Sequence, residues 1–192
     1  QPNAGEELLV WPGKRKIVEI KAETKANLVS EFFIEQGTYN YNNHLFFGDN
    51  YDVLSHLLTT YKEKIDLIYI DPPFESQANY RKKISLKGSH QTVPIYETQY
   101  EDKWEQHDYL QFIYERLLLL RTLLSTTGSI YVHCDWRKAH YIRLMLDEIF
   151  GAEHYRNEII WKRGTVKGAK AKGKQFARNH DTIFYYTKSH KY

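Results

Sequence analysis

With 192 residues, 42% of them hydrophobic, the chain can bury one α/β-sized core and is too apolar to be a disordered tail. Its net charge of +3 is too small to argue alone for a nucleic-acid partner, and an aromatic content of 15% suits cores and base-stacking surfaces alike. The single cysteine, Cys134, excludes a disulfide framework; no leader-type stretch opens the chain and no run is long enough to span a bilayer, so the expected compartment is the cytoplasm, without a membrane partner. Opening at Gln1 and not at Met, the chain reads as a piece of something longer.

Residues 1–42 read as an N-terminal arm, with a turn at Trp11-Pro12-Gly13 and a short strand at Ile17–Ile20. The main unit, 43–192, starts with the apolar strand Leu45-Phe46-Phe47 and stops at Gly48-Asp49-Asn50. Tyr51, Val53, Leu54, Leu57 and Leu58 then recur at helical spacing. Ile65–Ile70 is a nearly continuous apolar run, the pattern of a parallel strand buried on both faces. It ends at Asp71-Pro72-Pro73-Phe74, because proline has no N–H to continue a central strand.

Residues 75–103 are polar and poorly periodic, and read as a long loop. A helix capped by Asp108 follows, with Tyr109, Phe112, Ile113, Leu117, Leu120, Leu123 and Leu124 on one face and Thr126-Thr127-Gly128 as its end. Ser129–Cys134 reads as a strand, Tyr141–Phe150 as a helix closed by Gly151, and Asn157–Lys162 and Thr182–Thr187 as two strands around a Gly/Lys-rich linker. Alternating strands and helices with a terminal strand pair predict an α/β fold around an open, mostly parallel sheet.

The end of the Ile65–Ile70 strand carries the clearest chemistry. Ligands of open α/β sheets sit beyond the carboxyl ends of the strands. Two prolines stiffen the tetrapeptide there. Asp71 supplies a carboxylate, the residue carbonyls supply further acceptors, and Phe74 supplies a flat face. An exocyclic amino group on a base needs that set. Its lone pair is delocalised into the ring, and acceptors aimed at its N–H groups favour the pyramidal, nucleophilic nitrogen. A base inside a duplex must first be flipped out.

In this tetrapeptide and its surroundings the chain resembles the N6-adenine/N4-cytosine DNA methyltransferases. The likeness runs in order through Phe47-Gly48-Asp49-Asn50, Asp71-Pro72-Pro73-Phe74, the Leu-rich helix, Gly128–Asp135, Asn157–Arg163 and His180–Lys188. Their order resembles the permuted, type III-like adenine branch. The resemblance implies a Rossmann-like methyltransferase sheet, S-adenosylmethionine as cofactor, DNA as partner and a restriction–modification setting. It also implies catalytic roles for Asp71, Pro72, Pro73 and Phe74, and cofactor contacts from Asp49, Asn50 and Asp71. Asp49 is equally suited to cap the helix that it opens. The family's Phe-x-Gly-x-Gly cofactor loop has no counterpart here, so the fold is expected to be incomplete, with the target-recognition region and the cofactor half absent.

Between Trp161 and His180 lie Lys162, Arg163, Lys167, Lys170, Lys172, Lys174 and Arg178 with no acid among them. Such a run is commonly a solvated loop; here it is read as a contact to DNA phosphate, sensitive to salt. Cys134 follows His133 within a strand and reads as an inert buried thiol. His133 and Asp135 end that strand on the ligand side, where they line the base pocket or satisfy loop backbone groups. The nine His show no ligand spacing, so no metal is expected. The leading expectation is adenine-N6 methylation of DNA, with a restriction subunit and a second copy of the chain as further expected partners. The alternatives are N4-cytosine or RNA amino-methylation, and a nucleic-acid-binding fragment without activity.

Overall fold

The computed structural model describes residues 4–15, 30–34, 43–74, 79–84, 95–101, 106–164, 176 and 178–192. The expected strand at Ile17–Ile20 lies outside them. Two hairpins stand apart from the main sheet. Strand β1 (Ser30–Ile34) pairs antiparallel with β2 (Asn43–Phe47), in the register Ser30↔Phe47 to Ile34↔Asn43. The stretch read as a long loop contains a second pair, β4 (Asn79–Ile84) with β5 (Ile95–Glu101). Its strand signal was present in the alternation of Tyr96, Thr98 and Tyr100, but charged and amide residues diluted it.

Helix α1 (Asn50–Tyr61) starts where Asp49 adopts extended backbone and its Oδ1 accepts the Tyr51 N–H at 2.8 Å. It leads into β3 (Ile65–Ile70). Helix α2 (Gln106–Leu123) holds Asp108 in its first turn and runs directly into β6 (Leu124–Cys134). Thr126–Gly128 therefore lies inside a strand and does not end the helix. A Cβ on Gly128 would come within 2.8 Å of the Ile65 carbonyl oxygen, so the glycine answers a close approach where the β3–β6 register shifts. Helix α3 (Ala139–Phe150) ends at Gly151, whose φ of 93° only glycine adopts readily and whose N–H reaches the Asp147 carbonyl. Strands β7 (Tyr155–Lys162) and β8 (His180–Thr187) complete the main sheet.

That sheet has the order β3-β6-β8-β7. β3 and β6 are parallel; β8 runs antiparallel to both β6 and β7. The architecture is α/β with the terminal antiparallel pair, but the sheet is mixed, with one parallel pairing. It is mixed because β8 runs antiparallel to both its neighbours, while β2 pairs with β1 outside this sheet.

The two faces of the sheet differ. Ile68, Ile130, Val132, Phe184 and Tyr186 are buried against Tyr109, Ile113, Leu117, Ile142, Met145 and Leu146 from α2 and α3. Burying each such aliphatic side chain contributes about 1.5–3 kcal/mol. On the opposite face Leu67 and Tyr69 are exposed, and Tyr131 stacks on Tyr185 at 4.6 Å. The expectation that β3 is buried on both faces is thus corrected: helices cover one face, and alternation exposes every second residue on the other. Residues 4–15 pack on the helices, with Trp11 in the core and the Gly5 N–H on the Glu148 carbonyl. No helix among the described residues is long and apolar enough to cross a membrane.

Candidate active site

Asp71 follows β3 directly, at the edge where β3 and β6 both present their carboxyl ends. Tyr69 and Ile70 of β3 with Asp71, Pro72 and Pro73 form one wall of a 380 Å³ cavity; Asn50, Val53 and Leu54 of α1 and Phe112, Ile113, Arg116 and Leu120 of α2 form the rest. Asp49 stands beside it, at the start of α1. Of the residues expected at a cofactor site, the fold thus gathers Asn50 and Asp71 around one space with Asp49 adjacent.

Arg116 organises that space, and sequence reading did not single it out. Its Nε donates to Asn50 Oδ1 at 2.5 Å, one NH2 group to Asp49 Oδ1 at 3.1 Å and the other to the Phe112 carbonyl. The guanidinium lies 3.6 Å over the Phe112 ring. Burial pulls its pKa down, while Asp49 opposes that and favours the charged form. The available signal was spacing: Phe112, Arg116 and Leu120 form an i, i+4, i+8 row, which puts a charge on a core-facing stripe.

On the other side of Asp71 lies a second group of side chains. His133 Nδ1 is 3.2 Å from the Tyr69 hydroxyl and 3.4 Å from Asp71 Oδ1. His133 Nε2 is 3.4 Å from Asp181 Oδ2, and Arg163 donates to Asp181 Oδ1 at 3.2 Å. Phe74 meets the His133 ring edge-on, with centroids 5.4 Å apart. Burial first, and the Asp71 charge second, raise the Tyr69 pKa, so its hydroxyl keeps its proton. Asp181 was also missed in the sequence, because it stands next to the apolar run of β8.

The remaining candidates separate. Asp135 is buried, and its carboxylate takes the Arg137 backbone N–H at 2.8 Å and the Arg137 guanidinium, so it shapes the loop after β6. Cys134 is buried, and burial followed by the neighbouring Asp135 charge pushes its thiol up to about 12, which leaves no thiolate near neutral pH. Of the basic run, Lys162 ends β7 exposed, Arg163 is engaged with Asp181, and the Arg178 guanidinium lies 3.7 Å over Trp136. Lys167, Lys170, Lys172 and Lys174 lie outside the described residues. Trp136 is a large exposed aromatic between Arg178 and Arg137 that sequence reading passed over.

The cavity's donor set suits part of S-adenosylmethionine. The Asp71 carboxylate can meet a cationic group, and the apolar walls from Val53, Leu54, Pro72 and Leu120 can take a flat ring or a methylene chain. Three of the five N–H groups of Arg116 are spent on Asp49, Asn50 and Phe112, which fixes the guanidinium at the rim.

Residues 65–192 match the family model for N6/N4 methyltransferases, described as DNA methylase. The chain belongs to that family. Among curated relatives, the chain is 31% identical over 164 residues to the type III restriction-modification enzyme StyLTI Mod subunit of Salmonella typhimurium, covering 79% of this chain and 24% of that protein. It is also 31% identical over 186 residues to the type II methyltransferase M.EcaI of Enterobacter cloacae, covering 96% of this chain and 38% of that one. The chain therefore spans less than two-fifths of either relative. A looser structural likeness, with 12% identity and a TM-score of 0.44, is to the M1.HpyAVI–SAM complex; it covers 74% of this chain and 54% of that one.

Proposed function

We propose that this DNA methylase chain is the catalytic part of an enzyme that methylates the N6 amino group of adenine in DNA, in the cytoplasm and within a restriction–modification system. The observation that carries the reading is the placement of Asp71-Pro72-Pro73-Phe74. The tetrapeptide sits at the carboxyl end of β3, with an apolar cavity on one side and His133 on the other. Family membership supports the reaction class, and relatives named as Mod subunits support the setting. In the family that the tetrapeptide resembles, Asp at the first position, here Asp71, is more typical of adenine and Ser of cytosine N4.

S-adenosylmethionine supplies an electrophilic methyl group when bound. Asp49, Asn50 and Asp71 would hold it, with Arg116 fixing the first two. The Asp71 carboxylate, 55% exposed, and the Pro72 carbonyl would accept the two N–H groups of the target amine. They stabilise the positive charge that grows on that nitrogen and offer an outlet for its proton. Phe74 would stack on the flipped base, a contact worth about 1–3 kcal/mol. Lys162, Arg163, Arg178 and the lysines at 167, 170, 172 and 174 would meet backbone phosphates, and Trp136 a base or sugar face beside them.

The test is to incubate the protein with labelled S-adenosylmethionine and mixed DNA, digest to nucleosides and identify the methylated base by mass, with RNA in parallel. N6-methyladenine that disappears in Asp71→Ala establishes base, reaction and carboxylate together. N4-methylcytosine, or product on RNA alone, overturns the assignment of substrate.

A further inference from the structure

We infer that His133 is a positioning residue for Asp71, and that Asp181 with Arg163 holds it in place. The role rests on the methyltransferase reading; the geometry does not. Three strands meet at this imidazole. Asp71 comes from the end of β3, His133 from β6, and Asp181 from β8, where the register sets Ile183 opposite His133 and Asp181 one pleat further on the same face. The ring lies between two carboxylates, one on each nitrogen. The pair differ in burial: the Asp71 side chain is 55% exposed and that of Asp181 is 6%. Asp181 is thus the fixed end, tied to the 60%-exposed Arg163, and Asp71 is the end open to a ligand.

The contacts are not closed. Nδ1 stands near two oxygens, the Tyr69 hydroxyl at 3.2 Å and Asp71 Oδ1 at 3.4 Å. Nε2 is buried and makes no hydrogen bond, with Asp181 Oδ2 at 3.4 Å. Nε2 is thus within reach of the Asp181 carboxylate but out of line with it, and donation to both carboxylates at once takes a proton on each ring nitrogen; the contact is one that aligns when the site is loaded. With Nδ1 on Oδ1, the other Asp71 oxygen is left to accept from the target amine. His133 touches no substrate in this arrangement. It sets the rotamer of the carboxylate that does, as outer groups orient the ligands of metal sites. Phe74 leans its edge on the same ring, so His133 also fixes the stacking face.

Two measurements test this. The first is the long-range ¹H–¹⁵N spectrum of the histidine side chains, with His133 assigned by substitution. Asp71→Asn is expected to move Nδ1 more than Nε2, and Asp181→Asn the reverse; where Asp181→Asn does not fold, the exposed Arg163→Gln takes its place. An unmoved Nδ1 in Asp71→Asn overturns the linkage. The second is methyl transfer. His133→Asn, whose amide can stand where Nδ1 was, should keep more activity than His133→Gln. His133→Phe should lose about 10–100-fold in kcat, with KM for S-adenosylmethionine raised less than in Asp71→Ala. Equal losses in all three variants, tracking their melting temperatures, would reduce His133 to a packing residue. Absence of methyl transfer even in the full-length protein that contains this chain, with Nδ1 still answering to Asp71→Asn, sinks the functional reading and leaves the linkage standing.

Discussion

Two ionic clusters in this molecule use similar groups for opposite ends. Beneath the helices, the Lys14 ammonium and the Glu148 carboxylate meet at 2.7 Å, each with a side chain 4% exposed. Glu148 also accepts from the Tyr114 hydroxyl and from the backbone N–H groups of Leu8 and Leu9, while Lys14 donates to the Leu9 carbonyl. That cluster is closed and ties residues 4–15 to α3. At the sheet edge, His133 stands 3.4 Å from each of two carboxylates, and one of those faces solvent. Here the polar groups are gathered but left partly unspent. A buried charge that is fully satisfied holds structure in place. One held just short of satisfaction keeps capacity for a ligand.

The comparison can be broken most sharply at Asp71. Asp71→Ala should lower methyl transfer by at least about 100-fold while shifting unfolding by no more than ~0.5 kcal/mol, since the side chain is more than half exposed. Urea unfolding beside the nucleoside assay checks both halves. Glu148→Ala should do the reverse. It strands Lys14 and several N–H groups in the core and should cost about 3–5 kcal/mol in urea denaturation. A loss under 1 kcal/mol would mean that water reaches the site and that burial does not set its worth.

A finer cut separates the two duties of Asp49. Asp49→Ser keeps an N-cap of similar quality but removes the charge facing Arg116, whereas Asp49→Ala also removes the cap, at about 1 kcal/mol. Calorimetry with S-adenosylmethionine should show weakened binding in both, and urea unfolding should show about 1 kcal/mol more stability lost in Asp49→Ala than in Asp49→Ser, since both lose the Arg116 pair. Unchanged binding in Asp49→Ser would leave Asp49 a helix cap alone. The smallest expected effect is at Arg178. Arg178→Gln should flatten the dependence of log K on log salt for DNA by about one unit, and a titration series at several salt concentrations would detect it.

The sequence by itself determined the chemistry-bearing landmarks. The proline pair had to end β3, because it has no N–H to offer a neighbour. Asp49 had to lie at a helix start, and Gly151 at a helix end, because of the backbone conformations they favour. The Asp71–Phe74 motif could therefore be placed, and its reaction class stated, from local rules. His133 was legible as the ligand-side end of its strand, but tertiary structure alone decided which side chains stand with it around the motif. His133, Asp181 and Arg163 come from three different stretches, and no local period brings them together. Gly128 looked like a helix stop and proved to be a close approach to another strand. β3 looked buried on both faces, since hydropathy records what a residue tolerates and not what is packed against it. Arg116 gave a charge on an apolar stripe, but only the fold supplied Asp49 and Asn50 as the reason. Pairing across long sequence separations depends on how the strands are ordered in the sheet, which no single segment encodes.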